Sequence, residues 1–457
     1  MSELLVGIDI GTTMTKAAVV SADGKELSWG RARTPWHEVL TGAEADPSDI
    51  FDAALEAVAG ALAAAPAGQV IGAGVTSMAE TAVLLGADGQ PLWPCIVWHD
   101  TRGEDEATDL ARVFGVQELV RRTGLNPSPM RTLVKLAWLD RHGGPKPVRA
   151  LSVADWVVHR LGGDQVAEAS LACRTGALSL AGRSWWEEAL EWAGAGANLF
   201  PPVVQAGTLV GRLSQGGWRR NGGDDPGDLE RLAGAALAPA GHDHLCAAAG
   251  VDATRAEQVL DSCGTAEALV RTVAPLTENE LGRAVASGLE TSWHTVPGHQ
   301  ALLAGHALGL VLERVLSLVG ATGPEAASAL DAVAANVGPG SLRVVLDSPY
   351  GGPSIAGLGS GTSPAALWSA VLDAVAAWAA QTMSAMDTIA GPAAELVLSG
   401  GWARSDGLRR RKLGLLPRVR WPKVTEAGAR GAALFGGMAA GLFSEPADFP
   451  RPPERLS

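Results

Sequence analysis

Twice in this chain a short apolar run ends in Gly-Thr. Val6-Gly-Ile-Asp-Ile-Gly-Thr-Thr13 opens the first half, and Val259-Leu-Asp-Ser-Cys-Gly-Thr-Ala266 opens the second. Each reads as a buried strand followed by a tight turn whose bend has no Cβ. A strand-to-turn unit repeated at such a separation predicts two bodies. The 457 residues agree, because a single core seldom grows that large. The boundary is expected near 245–255, giving bodies of 1–250 and 251–457. Aligning the Gly-Thr pairs sets Ser262 opposite Asp9. Asp261 falls one residue off, and strand alternation points it to the other face. The halves are therefore expected to share a backbone device but not an acid.

The rest of the first half is consistent with an α/β unit. The strand after the first turn begins at Lys16, and Ala22-Asp-Gly24 bends it into a third strand over 26–32. Residues 48–65 have helical spacing behind a Ser/Asp start. Residues 70–75 and 81–85 read as strands, and Asp88-Gly89 as a turn. Helices are expected at 105–114, 130–141 and 154–161, and loop or edge structure at 207–228. A strand meander, a helix and a strand form the opening of a ribonuclease-H-like unit. In the second half, 246–251 reads as a small-residue helix, and 303–319 and 363–389 as long alanine-rich helices. A strand over 395–399 ends in Gly400-Gly401. The last helix, 426–441, has small residues throughout, which favours close packing.

Charge and cysteine content exclude several classes. A formal net charge of −13 repels a phosphate backbone, so a nucleic acid partner is not expected. It does not exclude a small anion held by backbone N–H groups and a metal. The run Arg409 to Arg411 reads as a solvated helix face. The four cysteines, Cys95, Cys173, Cys246 and Cys263, form no CxxC pair, which predicts a reducing, cytoplasmic compartment. No basic leader precedes the first strand, and the apolar stretch over 302–311 is too short to span a bilayer. A membrane partner is not expected.

Three strand-ending glycine turns suggest phosphate handling: Gly11-Thr12-Thr13, Gly264-Thr265 and Gly400-Gly401. Backbone N–H groups approach phosphate oxygens closely only where no Cβ intervenes. No GxxxxGK[ST] loop occurs, and Gly357-Leu-Gly-Ser-Gly-Thr362 reads as a helix start, not a dinucleotide fingerprint. Phosphoryl transfer also needs a cation and a proton acceptor. Asp9 is placed to hold Mg2+ through water. Asp243, after Gly241-His242 and before a small-residue helix, is either a general base in a cleft or a helix N-cap. His242, His244 and Cys246 raise a zinc reading, since alternate spacing on a strand would put these three on one face. No second ligand cluster accompanies them, so a structural zinc is not expected.

These segments resemble the FGGY carbohydrate kinases from about residue 4 to residue 441. Gly7-Ile-Asp-Ile-Gly-Thr-Thr-Met-Thr-Lys16 is similar to the family's first phosphate motif. Ile96-Val-Trp-His-Asp-Thr-Arg102 is similar to its sugar-site segment, and Met130-Arg-Thr-Leu-Val-Lys-Leu-Ala-Trp-Leu-Asp-Arg-His142 to its first signature. Gly241-His-Asp-His244 resembles the segment with the catalytic aspartate, Cys263-Gly-Thr265 the second phosphate motif, and Ser399-Gly-Gly-Trp-Ala-Arg-Ser405 the adenosine motif. Glu426-Ala-Gly-Ala-Arg-Gly-Ala-Ala433 resembles the closing helix.

The resemblance implies two ribonuclease-H-like, actin-like ATPase domains with ATP and Mg2+ in a central cleft. It implies a small sugar or polyol, of ketopentose or alditol class, as acceptor. Asp243 becomes the base and, with Asp9, a metal ligand. Gly11, Thr12, Thr13, Lys16, Gly264, Thr265, Gly400, Gly401 and Ser405 become nucleotide contacts. Met78, Glu80, Trp98, Asp100 and Asp243 become substrate contacts. Glu80 stands where glycerol kinases of the family have a glutamate, although Ala79 replaces their neighbouring arginine. Met78 resembles the xylulose kinases, without their adjacent histidine. The resemblance is compatible with a homodimer, and the alternative is a non-catalytic sugar or nucleotide sensor on the same fold.

Overall fold

In the computed structural model, which describes residues 2–214, 218, 227–338, 340–346 and 353–455, the first apolar run is a strand, β1 (Ser2–Ile10). The Gly11-Thr12-Thr13 bend returns it antiparallel as β2 (Met14–Ser21), followed by β3 (Glu26–Arg33). Helix α1 (Pro47–Ala63) starts behind the Asp46 carboxylate, which accepts the Ser48 N–H at 2.7 Å. It leads back to β4 (Gly68–Ser77), parallel to β1. Edge strand β5 (Gly211–Arg212) and β6 (Ala236–His242) complete a sheet in the order β5-β6-β4-β1-β2-β3. The expected irregular stretch at 207–228 supplies that edge, and 215–217 and 219–226 lie outside the described residues.

The second half repeats the plan. Its strands are β7 (Gln258–Cys263), β8 (Glu267–Val273), β9 (Glu290–Trp293), β10 (Gln300–His306), β11 (Glu395–Ser399) and β12 (Arg418–Arg420). Their order is β9-β10-β8-β7-β11-β12. β7 runs antiparallel to β8 and parallel to β11, as β1 runs antiparallel to β2 and parallel to β4. The repeated Gly-Thr unit is therefore a repeated topology, and the α/β fold expected from the sequence is present.

Further helices build the site: α2 (Thr132–Arg141), α3 (Ala169–Arg174), α4 (Asp243–Gly250), α5 (Leu308–Leu318), α6 (Pro364–Ala390), α7 (Asp406–Lys412) and α8 (Ala427–Ala439). One expectation fails. The single helix predicted over 303–319 is strand β10 as far as His306 and helix only from Leu308. β10 is buried at all but one of its positions, so neither period is visible in its sequence.

Although it follows the second sheet in the chain, α8 packs on the first. A Cβ at Gly7 would lie 1.7 Å from the Ala429 carbonyl oxygen, and one at Gly74 1.9 Å from that of Ala432. Helix and sheet thus touch backbone to backbone, and Leu5, Ala18, Val20, Ala432 and Phe435 form one core layer there. Helix α4 is the wedge between the bodies. Cys246 and Ala249 join that layer, while Leu245, Ala248 and Val251 pack with Leu260, Val270 and Val397 of the second sheet.

A second bridge is ionic. Arg131 and Arg174 of the first body both hold Glu290 of β9, Arg174 at 2.5 Å. Burial opposes the Glu290 charge, but the two guanidiniums outweigh it and bring its carboxyl down to about 2. A buried acid pair lies behind β6. Asp155 accepts the Glu168 N–H, and Glu168 caps α3 by accepting the Ser170 and Leu171 N–H groups at 2.8 and 3.1 Å. Burial pushes Asp155 up to about 7 and Glu168 up to about 8.

Two outcomes are expected. Gly74→Ala forces a methyl into the α8 backbone and lowers unfolding free energy by about 2–3 kcal/mol, read from urea denaturation. An unchanged midpoint would refute the close contact. Because the pKa of Glu168 is raised in the fold, the associated stability is full below the ordinary carboxylate range and lost as pH climbs towards 8. Glu168→Gln keeps an acceptor for Ser170 and Leu171, so it flattens the fall in urea midpoint between about pH 5 and pH 8. A parallel decline in variant and parent contradicts this.

Candidate active site

Parallel strands β1, β4 and β6 end side by side. Asp9 pairs with Thr76, and Thr76 with Gly241, so Asp9, the Met78–Glu80 stretch and Asp243 emerge from neighbouring carboxyl ends. In open α/β sheets ligands gather at such ends. In the second sheet β7 and β11 pair Ser262 with Ser399 and end in Gly264-Thr265 and Gly400-Gly401. Gly400 has φ +89°, and a Cβ there would meet the Cys263 carbonyl oxygen at 2.4 Å. The second and third glycine turns are thus in backbone contact. The Gly11 and Gly264 N–H groups are used within their own bends, on Met14 and on Ser262 and Ala266. What the turns present outward is threonine: Thr13 and Thr265 are exposed.

The acids differ in environment. Asp9 is half-buried, and its Oδ1 is shielded from solvent and has no partner among the described residues. Burial, then the charge of Asp243, pushes its carboxyl up to about 7, while Lys16 pulls it down. Asp9 and Asp243 therefore stand near each other at the carboxyl ends of the first sheet, where an open α/β sheet has its crevice. Lys16, expected at the first phosphate turn, pairs with Glu426 at 2.7 Å and so ties β2 to the start of α8. Asp243 is the first residue of α4, and its side chain is one-fifth exposed. The N-cap position belongs to His242, which makes no capping bond, so the cap reading of Asp243 gives way.

The zinc reading changes too. His242 ends a strand and His244 begins a helix, so no strand face carries them. Their ligand atoms and that of Asp243 still lie within 4.8 Å of one another. Asp261, Cys263 and Glu267 form a second such group, and an ammonium fills it. Lys412 Nζ lies 2.5 Å from Asp261, 2.7 Å from Glu267 and 3.4 Å from Cys263 Sγ. Burial opposes the Lys412 charge, yet Asp261, Cys263 and Glu267 hold its pKa well above the usual value. This cluster joins α7 to both strands flanking Gly264-Thr265.

The sugar-site segment is fixed by bonds the sequence does not reveal. Trp98 donates Nε1–H to Thr12 Oγ1 at 2.8 Å, and Thr12 reaches Met78 Sδ at 3.9 Å. Lys135 of α2 donates to the Pro129 carbonyl at 2.7 Å, and to those of Asp100 and Trp98 at 3.3 and 3.4 Å. Two expectations are corrected. Asp100 is 1% exposed, and both its oxygens are taken, by Arg102 and Thr41, so it braces the segment and does not accept a substrate proton. Ser405 spends its hydroxyl as the α7 cap, accepting from Leu408 N–H at 3.1 Å and donating to Asp331 at 2.6 Å. Glu80 has φ +63°, and its Oε1 accepts from Arg131 and Arg174 at 2.8 and 2.7 Å. Oε2 has no hydrogen bond among the described residues. Arg131, Arg174, Glu290 and Lys412 had no role in the sequence reading. Only Arg131 lay in a motif, and none of the four sits near its partner in sequence.

Comparison with known proteins agrees with this arrangement. The N-terminal domain model of the FGGY family of carbohydrate kinases matches residues 4–224, and the C-terminal domain model matches residues 325–440. A glycerol kinase of Aromatoleum aromaticum is 30% identical over 476 residues, covering 96% of this chain and 90% of that protein. A xylulose kinase of Streptomyces coelicolor is 30% identical over 462 residues, covering 96% and 88%. The solved structure of a gluconate kinase from Lactobacillus acidophilus superposes with a TM-score of 0.85 at 19% identity, covering 100% of this chain and 93% of that one, and shows the shared fold. Two duplicated sheets, their glycine turns and both matched domains lead to one conclusion: the chain belongs to the FGGY family of carbohydrate kinases, phosphotransferases that use ATP on sugars or polyols.

Proposed function

We propose that this chain moves the γ-phosphoryl group of ATP to a hydroxyl of a small ketopentose or alditol, with Asp243 as general base. The supporting observation is the closeness of the two acids at the strand ends, where the charge of Asp243 raises the pKa of Asp9. A buried carboxylate oxygen without a partner fits a hard cation, so Asp9, with Asp243, would hold Mg2+. The cation supplies charge neutralisation on the triphosphate.

The remaining work falls to the chain. The exposed hydroxyls of Thr13 and Thr265 bind phosphate oxygens, and Gly400-Gly401 lets the nucleotide approach the second sheet closely. Trp98 offers its ring to the C–H face of the substrate, and Glu80 offers Oε2 to a hydroxyl. Asp243 takes the alcohol proton as the new O–P bond forms and the bond to the ADP oxygen breaks. Closure of the two bodies excludes water that would otherwise compete as acceptor. A sensor on this fold would have no use for an acid with one oxygen uncommitted beside a second, unpaired acid.

A coupled ATPase screen over ketopentoses, aldoses, tetritols and pentitols tests the substrate class. Turnover of short alditols favours the Glu80 analogy, and turnover of a ketopentose the Met78 analogy. No turnover with any of them rejects the class. Asp243→Asn is expected to lower kcat about 10³-fold with the circular dichroism spectrum unchanged. Full activity would refute the base. Lys412→Met leaves two buried acids without their cation beneath the second phosphate turn. It is expected to raise KM for ATP about 10-fold while KM for the sugar stays within about twofold. Equal changes in both would contradict a nucleotide-side role.

A further inference from the structure

The two oxygens of Asp243 have different surroundings. Oδ1 accepts the His244 backbone N–H at 2.7 Å and lies 3.3 Å from Nε2 of His242. The His244 ring is also nearest Oδ1, at 3.9 Å, beyond hydrogen-bond reach. Oδ2 has no partner among the described residues. Every protein donor thus gathers on one oxygen, and the other is left to the crevice shared with Asp9.

The protonation of the His242 ring follows from its partners. The residue is 5% exposed, and its Nδ1 is shielded from solvent with no hydrogen-bond partner. A proton on Nδ1 would be a buried donor without an acceptor, which costs more than a bare lone pair. The ring proton therefore belongs on Nε2, the nitrogen that faces Oδ1. At 3.3 Å the pair is not aligned as a hydrogen bond in this structure, and such contacts tighten and align when substrate enters.

The backbone beneath the ring is pinned from two sides. The His242 N–H donates to Ser170 Oγ at 2.9 Å, and Ser170 Oγ donates to Glu168 at 2.6 Å. Thr76 Oγ1 donates to the Gly241 carbonyl at 2.5 Å. Gly241 has φ +84°, and a Cβ there would lie 2.5 Å from Ser170 Oγ. These holds come from Thr76 and from the Glu168–Ser170 pair, two places far from His242 in sequence. They fix a histidine at an N-cap position where it caps nothing.

We propose that His242 is a positioning residue for phosphoryl transfer. Its Nε2–H holds Oδ1 of Asp243 so that Oδ2 keeps a fixed direction toward the acceptor hydroxyl, and Ser170 with Glu168 sets the backbone that carries the ring. The proposal rests on the reading of Asp243 as the base. Its consequence is a loss of turnover without a loss of substrate binding, since His242 acts on the orientation of the base and on neither substrate directly.

The test compares His242→Ala, His242→Asn and His242→Gln, with Asp243→Asn alongside. The glutamine amide nitrogen reaches about as far from Cα as Nε2, whereas that of asparagine stops near the Nδ1 position. Ala and Asn are expected to lower kcat about 10- to 100-fold with KM for ATP and sugar within about twofold, and Gln to recover most of the loss. A merely structural histidine predicts that Gln and Asn fail alike or that KM moves, and either result overturns the proposal. If the His242 variants do not fold, Ser170→Ala frees the backbone without touching the ring and is expected to give the same KM-neutral fall in kcat, while an unchanged kcat counts against the proposal. Activity in Asp243→Asn defeats the base reading itself. An inactive Asp243→Asn beside a fully active His242→Ala defeats only the role of His242.

Discussion

The crevice depends on the backbone contact between α8 and the first sheet. Without side chains at Gly7 and Gly74, the helix settles onto β1 and β4 at a distance no other residue allows. That approach puts Gly428 against Asp9, where even a methyl would lie 2.4 Å from Oδ2. It lets Cys246 of α4 donate to the Gly428 carbonyl at 3.4 Å and brings Glu426 to Lys16. Arg430, buried in the same helix, ties together the carbonyls of Gly24, Gly250 and Pro450. One helix therefore packs against the first acid, contacts the helix that begins with the second, and ties down the C-terminal segment at Pro450.

Duplication makes the two halves comparable, and their difference is in charge. In the second body the acid beside the glycine turn points inward, and Lys412 neutralises it. In the first body the acid points into the crevice, and Asp9 keeps an oxygen without a partner. A carboxylate oxygen shielded from water without a donor is costly, and the raised pKa of Asp9 reflects that cost although Lys16 offsets part of it. The fold has thus supplied a covalent cation to one turn and left the other open to an external one. This difference is the physical basis of the proposal that Asp9, with Asp243, would hold the cation.

Much of this was legible from residue order. Strand alternation alone separates Asp9 from Asp261, because a one-residue offset reverses the face. The small residues of the last helix announced close packing, though not against which sheet, since that depends on the whole chain path. The strand at Gln300–His306 was invisible because burial on both faces erases its period. Asp100 looked available because a carboxylate in a motif does not show that Arg102, two residues on, folds back onto it. The Arg131, Arg174 and Glu290 group was illegible for a simpler reason. Its members come from three distant segments, and no local pattern encodes such a meeting.

Glu80 is joined to the interface between the two bodies. It is a non-glycine residue held in the left-handed region, a conformation that persists only when its surroundings over-determine it. The surroundings here are the two arginines that also grip Glu290 across the body interface. The four charges balance, so the group is stable only while both bodies contribute. A substrate hydroxyl on the remaining oxygen of Glu80 would add a donor to a carboxylate already sharing its charge with the interface. Binding would then strengthen or weaken the grip on Glu290 through the same two guanidiniums. On the proposed reading of Glu80 as a substrate contact, hydroxyl binding and the pairing of the two bodies would act on one ionic group, so a change at either position would reach the other.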